Sequence, residues 1–242
     1  MRRAWIRWLS TGILMAALAG AALAAGPERG FGGGSAGFGL LMPDLAEINA
    51  FVEGAGFPAF DGGLFLAGGG GRGGAVPGPV FGGAGWGAWI ESERGSLHAE
   101  YGLGLGGFDM GFAVGGSDRS VLTFGVLMGG GGAELTLTEF PQAAIGRTPP
   151  RGIVPKPARQ TYDCGFLLVA PYFDMQIQLL DWMGLGVRAG YMLSLLELNG
   201  GDEGPLDAPA LAPRGVYVRF SLVFGGIGGI DSEPAAEIAK MP

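Results

Sequence analysis

The sequence predicts an all-β fold, an antiparallel up-and-down β-barrel of about ten strands (eight to ten), with one short helix in the first long connection. Three observations carry this. Glycine supplies 51 of 242 residues, and each interior glycine costs a helix about 1 kcal/mol relative to alanine. Apolar residues make up 48 % of the chain, and over most of it they alternate with small or polar ones at period two, the signature of a strand with two unlike faces. The connections inferred between strands are long at one end of the strands and short at the other. Collagen is excluded, because no Gly-X-Y period runs through the chain and prolines number only 16.

The chain begins with a secretory signal. Arg2, Arg3 and Arg7 precede an apolar run from Ile13 to Ala19, and Ala22-Leu23-Ala24 fits an A-x-A cleavage site. Residues 1–24 are therefore expected to be removed, leaving residues 25–226 as one glycine-rich barrel domain and 227–242 as a flexible tail. Loss of three arginines takes the net charge from −7 by three to −10. Lys156 and Lys240 are the only lysines, which argues against a basic nucleic-acid surface. Cys164 and His98 are the only cysteine and histidine. They permit neither an internal disulfide nor a His/Cys zinc site within one chain. No cofactor is expected.

Segments 31–41 and 62–70 read as strands too rich in glycine to assign a face. Between them, residues 44–54 form the one plausible helix. Asp44 and Glu47 have capping-box spacing, Leu45, Ile48 and Val52 make an apolar stripe, and Gly54 can end it. In 80–91, Val80, Trp86 and Ile90 share a face, with Phe81 and Trp89 on the other. In 96–105, Leu97 to Leu105 at odd positions oppose Ser96, His98 and Glu100. In 108–115 the large residues are instead even, Phe108, Met110, Phe112 and Val114. The same change of phase separates 121–128 from 133–138, across Gly129-Gly130-Gly131-Gly132. Read as tight turns, Gly106-Gly107 and Gly129–Gly132 give four strands here, of ordinary length. Three long alternating segments follow at 166–179, 185–195 and 216–224.

The three longest connections, 42–61, 140–163 and 199–213, then fall at one end of the strands with 92–95 and 116–119. The other end carries 71–79, 106–107, 129–132 and 181–183, together with both termini. Loop 140–163 is basic and loop 199–213 acidic, so the two are expected to attract one another.

Opposite the large apolar residues stand Gly, Ala, Ser, Thr and Gln, with isolated charges. A soluble sheet would carry a charged outer face there. If the apolar face meets lipid, the small polar face lines an interior, and backbone satisfaction in lipid requires a closed barrel. Ser96, His98, Glu100, Glu134, Asp174, Arg188 and Arg219 are then expected as an interior polar cluster. A hydrolase triad on Ser96, His98 and Glu100 is disfavoured, since i and i+2 on a strand stand roughly 6.6 Å apart. The GxGxxG-like string Gly102–Gly107 lacks the strand–loop–helix context of a nucleotide site.

With its alternation, its asymmetric connections and its last strand Val216–Phe224, the chain resembles small outer-membrane β-barrel proteins of Gram-negative-type bacteria over residues 62–226. One departure is that Gly225 to Pro242 follow the last strand instead of a terminal aromatic. The resemblance implies an exported, non-enzymatic protein, structural or forming a narrow pore, with outer-membrane lipid as its partner and no nucleic acid. Trp86, Trp89, Tyr172, Trp182 and Tyr191 are the candidates for its aromatic girdles. The alternative is a secreted or cell-surface soluble β-sandwich or barrel acting as a binding or structural module, the apolar faces of a sandwich forming a shared core.

Overall fold

Eight antiparallel strands, each bonded to its sequence neighbours and the last to the first, close into a barrel. The computed structural model describes residues 29–115, 117–140, 158–199 and 209–229. The strands are β1 (Arg29–Pro43), β2 (Leu64–Val76), β3 (Gly78–Arg94), β4 (Leu97–Gly115), β5 (Ser120–Glu139), β6 (Ala158–Leu180), β7 (Met183–Asn199) and β8 (Gly215–Gly229). Helix α1 (Ala46–Gly54) lies between β1 and β2. The signal segment 1–24 and most of the two charged loops lie outside the described residues, as does the tail beyond β8. That strand runs to Gly229 and so takes in the first residues assigned to the tail.

Closure excludes the two-sheet sandwich, and the count is eight rather than ten. The glycine segments read as turns run straight through the sheet. Gly106 pairs with Gly130 and Gly107 with Gly129 between β4 and β5, and Gly106 pairs with Gly85 of β3 on its other side. What changes at these glycines is which side of the sheet carries the large apolar residues. Odd residues of β4 point inward along its whole length, from Ala99 and Tyr101 to Asp109 and Ala113. With β4 unbroken, connection 116–119 moves to the end that carries the short turns. The long connections still share the opposite end, called here the loop end; the other is the turn end.

The ladder is staggered. From Phe38 of β1, stepping through Ala67, Gly87, Gly104, Gly132 and Gly165 reaches β7 at Leu198. Stepping the other way, through Phe220, reaches β7 at Val187. The strands are therefore tilted against the barrel axis, and hydrogen-bonded neighbours stand at different heights.

Helix α1 covers the loop end. Asp44 Oδ1 accepts from the Ala46 N–H at 3.1 Å, and Ile48 and Val52 are buried. Gly54 is the last helical residue, but Gly56 is the one in the left-handed region, at φ 87°. Asn49 exchanges two hydrogen bonds with the backbone of Phe60, at 3.0 and 2.9 Å. Phe51 packs edge-on against Tyr162 of β6, ring centroids 5.1 Å apart. Beneath the helix the inner faces of β3–β6 supply Tyr101, Leu103, Leu135, Leu137 and Phe166 to one apolar core.

Candidate functional site

The interior has two levels. Near the loop end it is apolar, as described. Toward the turn end the inward positions become polar: Arg72 on β2, Asp109 on β4, Tyr172, Asp174 and Gln176 on β6, Arg188 on β7, and Tyr217, Arg219 and Ser221 on β8. All but Arg72 are buried. Alternation puts each one inside: all but Arg72, which stands between Gly71 and Gly73, sit one position away from an outward apolar residue such as Met110, Phe173, Val187 or Phe220.

Arg188 is the hub. Its Nη2 lies 2.8 Å from Asp109 Oδ2, and its Nε donates to Asp174 Oδ2 at 2.9 Å. Its guanidinium carbon stands 3.7 Å from the centre of the Tyr172 ring, and the Tyr172 hydroxyl donates to Asp109 Oδ1. Arg72 donates to Asp174 Oδ1. Among the described residues Arg219 has no carboxylate partner, and its guanidinium carbon lies 4.0 Å above the Trp86 ring. Glycine makes room for the large rings. A Cβ on Gly190 would lie 2.7 Å from Tyr217 Cε1, and one on Gly125 would collide with the Tyr172 hydroxyl.

Of the residues expected inside, Asp174, Arg188 and Arg219 line the interior. His98, Glu100 and Glu134 point outward, at even positions of β4 and β5, and Ser96 belongs to the β3–β4 turn. His98 Nδ1 lies 2.9 Å from Glu93 Oε1 of β3, so the histidine faces neither a serine nor Glu100. Treating 96–105 and 133–138 as separate strands with their apolar faces outward turns His98, Glu100 and Glu134 inside out. On the sequence alone, Arg72 falls in the connection 71–79, and Asp109 stands opposite Phe108 and Met110, on the interior side, without being counted in the cluster. Phe108-Asp109-Met110 shows the alternation that finds Asp109, whereas Gly71-Arg72-Gly73 carries no flanking side chain to mark a face. Among the girdle candidates Trp89, Trp182 and Tyr191 face outward, while Trp86 and Tyr172 belong to the interior.

Two titratable groups sit in the apolar level near the loop end. Burial pushes the Cys164 thiol up to about 12, helped by its hydrogen bond with Glu197. Burial likewise raises Tyr101, with smaller contributions from Cys164 and Glu197. Its hydroxyl donates to Leu211 O at 2.6 Å.

The outer surface mirrors the interior. Toward the turn end it is apolar: Phe108 to Val114 on β4, Leu122 to Met128 on β5, Leu167 to Leu179 on β6, and Leu185 to Leu195 on β7. The band continues through Val216 to Phe224 on β8 and Phe38 to Met42 on β1. Nearer the loop end β3–β6 carry Glu91, Glu93, His98, Glu100, Glu134 and Asp163 outward. Between the two zones Gly83, Gly85, Gly104, Gly106, Gly130 and Gly132 form a belt on the outer face of β3–β5.

No protein-family model matches the chain, and no curated protein sequence matches it. Among solved structures it is similar to Ail, the attachment invasion locus protein of Yersinia pestis. The crystal structure of Ail with the heparin analogue sucrose octasulfate is 9 % identical in sequence, covering 82 % of this chain and 99 % of that one, with a TM-score of 0.43. The crystal structure described as Ail alone gives 8 %, 83 %, 99 % and 0.39.

Proposed function

We propose that the chain is an exported integral outer-membrane β-barrel, sealed inside, which holds a folded platform above the lipid at its loop end and has a structural role. The observation that carries this reading is the inversion across the glycine belt. On β3–β6, large apolar side chains face out and charges face in below it, and above it the arrangement reverses.

Phe108 is 51 % exposed, and Phe220 and Leu222 nearly as much. Fully burying such a side chain is worth about 1.5–3 kcal/mol, so a band of them all round a closed barrel calls for lipid. A membrane needs about 9–11 residues of tilted strand. Strands β4, β5 and β6 have 19, 20 and 23 residues, and the surplus is the part whose outer face is polar and whose inner face packs on α1. Trp182 and Phe224 stack at the turn end of the band, 6.4 Å between centroids. Phe65 and Trp89 meet edge-on nearer the loop end, at 6.1 Å. Such rings suit the two interfaces. Short turns and both described termini at one end fit the periplasmic side.

The interior argues for a sealed barrel rather than a pore. The charged cluster leaves a cavity of about 20 Å³, and the apolar core and α1 close the lumen above it. The geometry around His98 supports a non-catalytic role.

Fractionation of the full chain tests the reading. We expect retention in the outer membrane, heat-modifiable migration in detergent, and no conductance in planar bilayers. A freely soluble monomer would overturn it, and steady single-channel currents would overturn the sealed lumen.

A further inference from the structure

The cluster inside the barrel is not balanced. It holds three guanidiniums, Arg72, Arg188 and Arg219, against two carboxylates, Asp109 and Asp174. All four carboxylate oxygens are already engaged, by Arg188 twice, Arg72 once and the Tyr172 hydroxyl once. Arg219 is only 7 % exposed, stacks on Trp86 and has no described carboxylate partner. Its Nε and Arg72 Nη1 are both buried without a hydrogen-bond partner. The two side chains line the same cavity of about 20 Å³, together with Ser35, Gln176 and Ser221.

We propose that this cavity is a binding site for one small monovalent inorganic anion of the halide class, held between Arg219 and Arg72. A guanidinium does not deprotonate in proteins, so the excess charge cannot be discharged on the side chain. A water molecule fits a cavity of this size and could accept from both donors, but it leaves a net positive charge in a low-dielectric interior, where an unpaired charge is strongly disfavoured. A halide meets both needs at once, accepting from the two unpartnered N–H groups and neutralising the third guanidinium. Carboxylates and phosphate are too large for the space. The assignment rests on the interior of the barrel and not on what surrounds it.

Bromide is the probe. In crystals of the full chain grown from sodium bromide, an anomalous peak is expected in the cavity beside Arg219 Nε and Arg72 Nη1. In detergent, the unfolding midpoint is expected to rise with the logarithm of bromide concentration, at ionic strength held constant with gluconate, because a ligand that binds only the folded state stabilises it by mass action. Gln176→Glu places a fixed carboxylate on the same cavity, and the bromide dependence should then disappear. Arg219→Met, which keeps an aliphatic stem over Trp86, should lose it too. No peak in the wild-type cavity, a midpoint equal in bromide and gluconate, or a dependence that survives Gln176→Glu would each overturn the site.

Discussion

Gly106 of β4 pairs with Gly130 of β5, and at that rung both strands exchange the side on which they carry their large apolar residues. Neither strand changes direction and neither inserts a residue there. A slip of one residue flips every side chain to the other face. Here the same flip of pattern is achieved by sequence alone, with glycines across the seam. The barrel can thus be one continuous sheet in two solvents, with a lipid-facing wall below and a water-facing wall over an apolar core above.

Substitutions on the two sides of that seam should differ sharply. Phe108→Lys puts a charge on the apolar band, where such a change costs about 2–4 kcal/mol near the midplane and less toward the interfaces. Glu100→Lys, eight positions away on the same face of β4, should stay within about 0.5 kcal/mol. Urea unfolding from lipid vesicles measures both. Equal effects would contradict the division of the outer wall.

Asp174 holds two guanidiniums; removing its charge strands Arg72 and leaves Arg188 with Asp109 alone. We expect Asp174→Asn to destabilise the barrel by about 3–5 kcal/mol, the range for breaking one side of a buried pair. Glu134→Gln removes an exposed carboxylate 3.7 Å from Arg159 and should cost about 0–1 kcal/mol. The comparison is read from denaturant midpoints of the two variants against wild type.

Gly190→Ala tests why the interior is built on glycine. The added methyl meets the Tyr217 ring, so overpacking should cost about 1–3 kcal/mol. A variant as stable as wild type would show that the ring can give way.

How much of this was legible in the sequence follows from what glycine conceals. The period-two pattern, helix α1 and the crowding of long connections at one end could all be read, because Leu, Phe and Val mark a face wherever they stand. The runs Gly106-Gly107 and Gly129–Gly132 carry no side chain to mark one. A change of apolar face across them looks the same as a turn, and the turn reading produced two strands too many. It also sends His98, Glu100 and Glu134 inward. Arg188 and Asp174 lie on strands without such a seam, and their faces could be read directly.

Cys164 lies on β6 before the apolar band begins at Leu167, and its thiol is buried with a pKa raised to about 12. Maleimide at pH 8 should therefore label the folded protein slowly and the urea-unfolded protein fast. A thiol whose folded pKa exceeds its unfolded value of about 8.5 favours folding below that value. The contribution fades as pH climbs toward 12. Tyr101 acts in the same direction. The urea midpoint should accordingly fall above about pH 9; a flat profile to pH 11 would contradict the burial of these groups.

On the proposed reading, the glycine belt is where the wall leaves lipid. Spin labels on single cysteines along the outer face of β4, in a Cys164→Ala background and in lipid vesicles, measure it directly. His98→Cys, Glu100→Cys and Gly102→Cys should be accessible to a water-soluble paramagnetic complex. Phe108→Cys, Met110→Cys and Phe112→Cys should be accessible to oxygen dissolved in the lipid, with the crossover between residues 102 and 108. Water accessibility along the whole strand, or lipid accessibility reaching His98, would contradict the account.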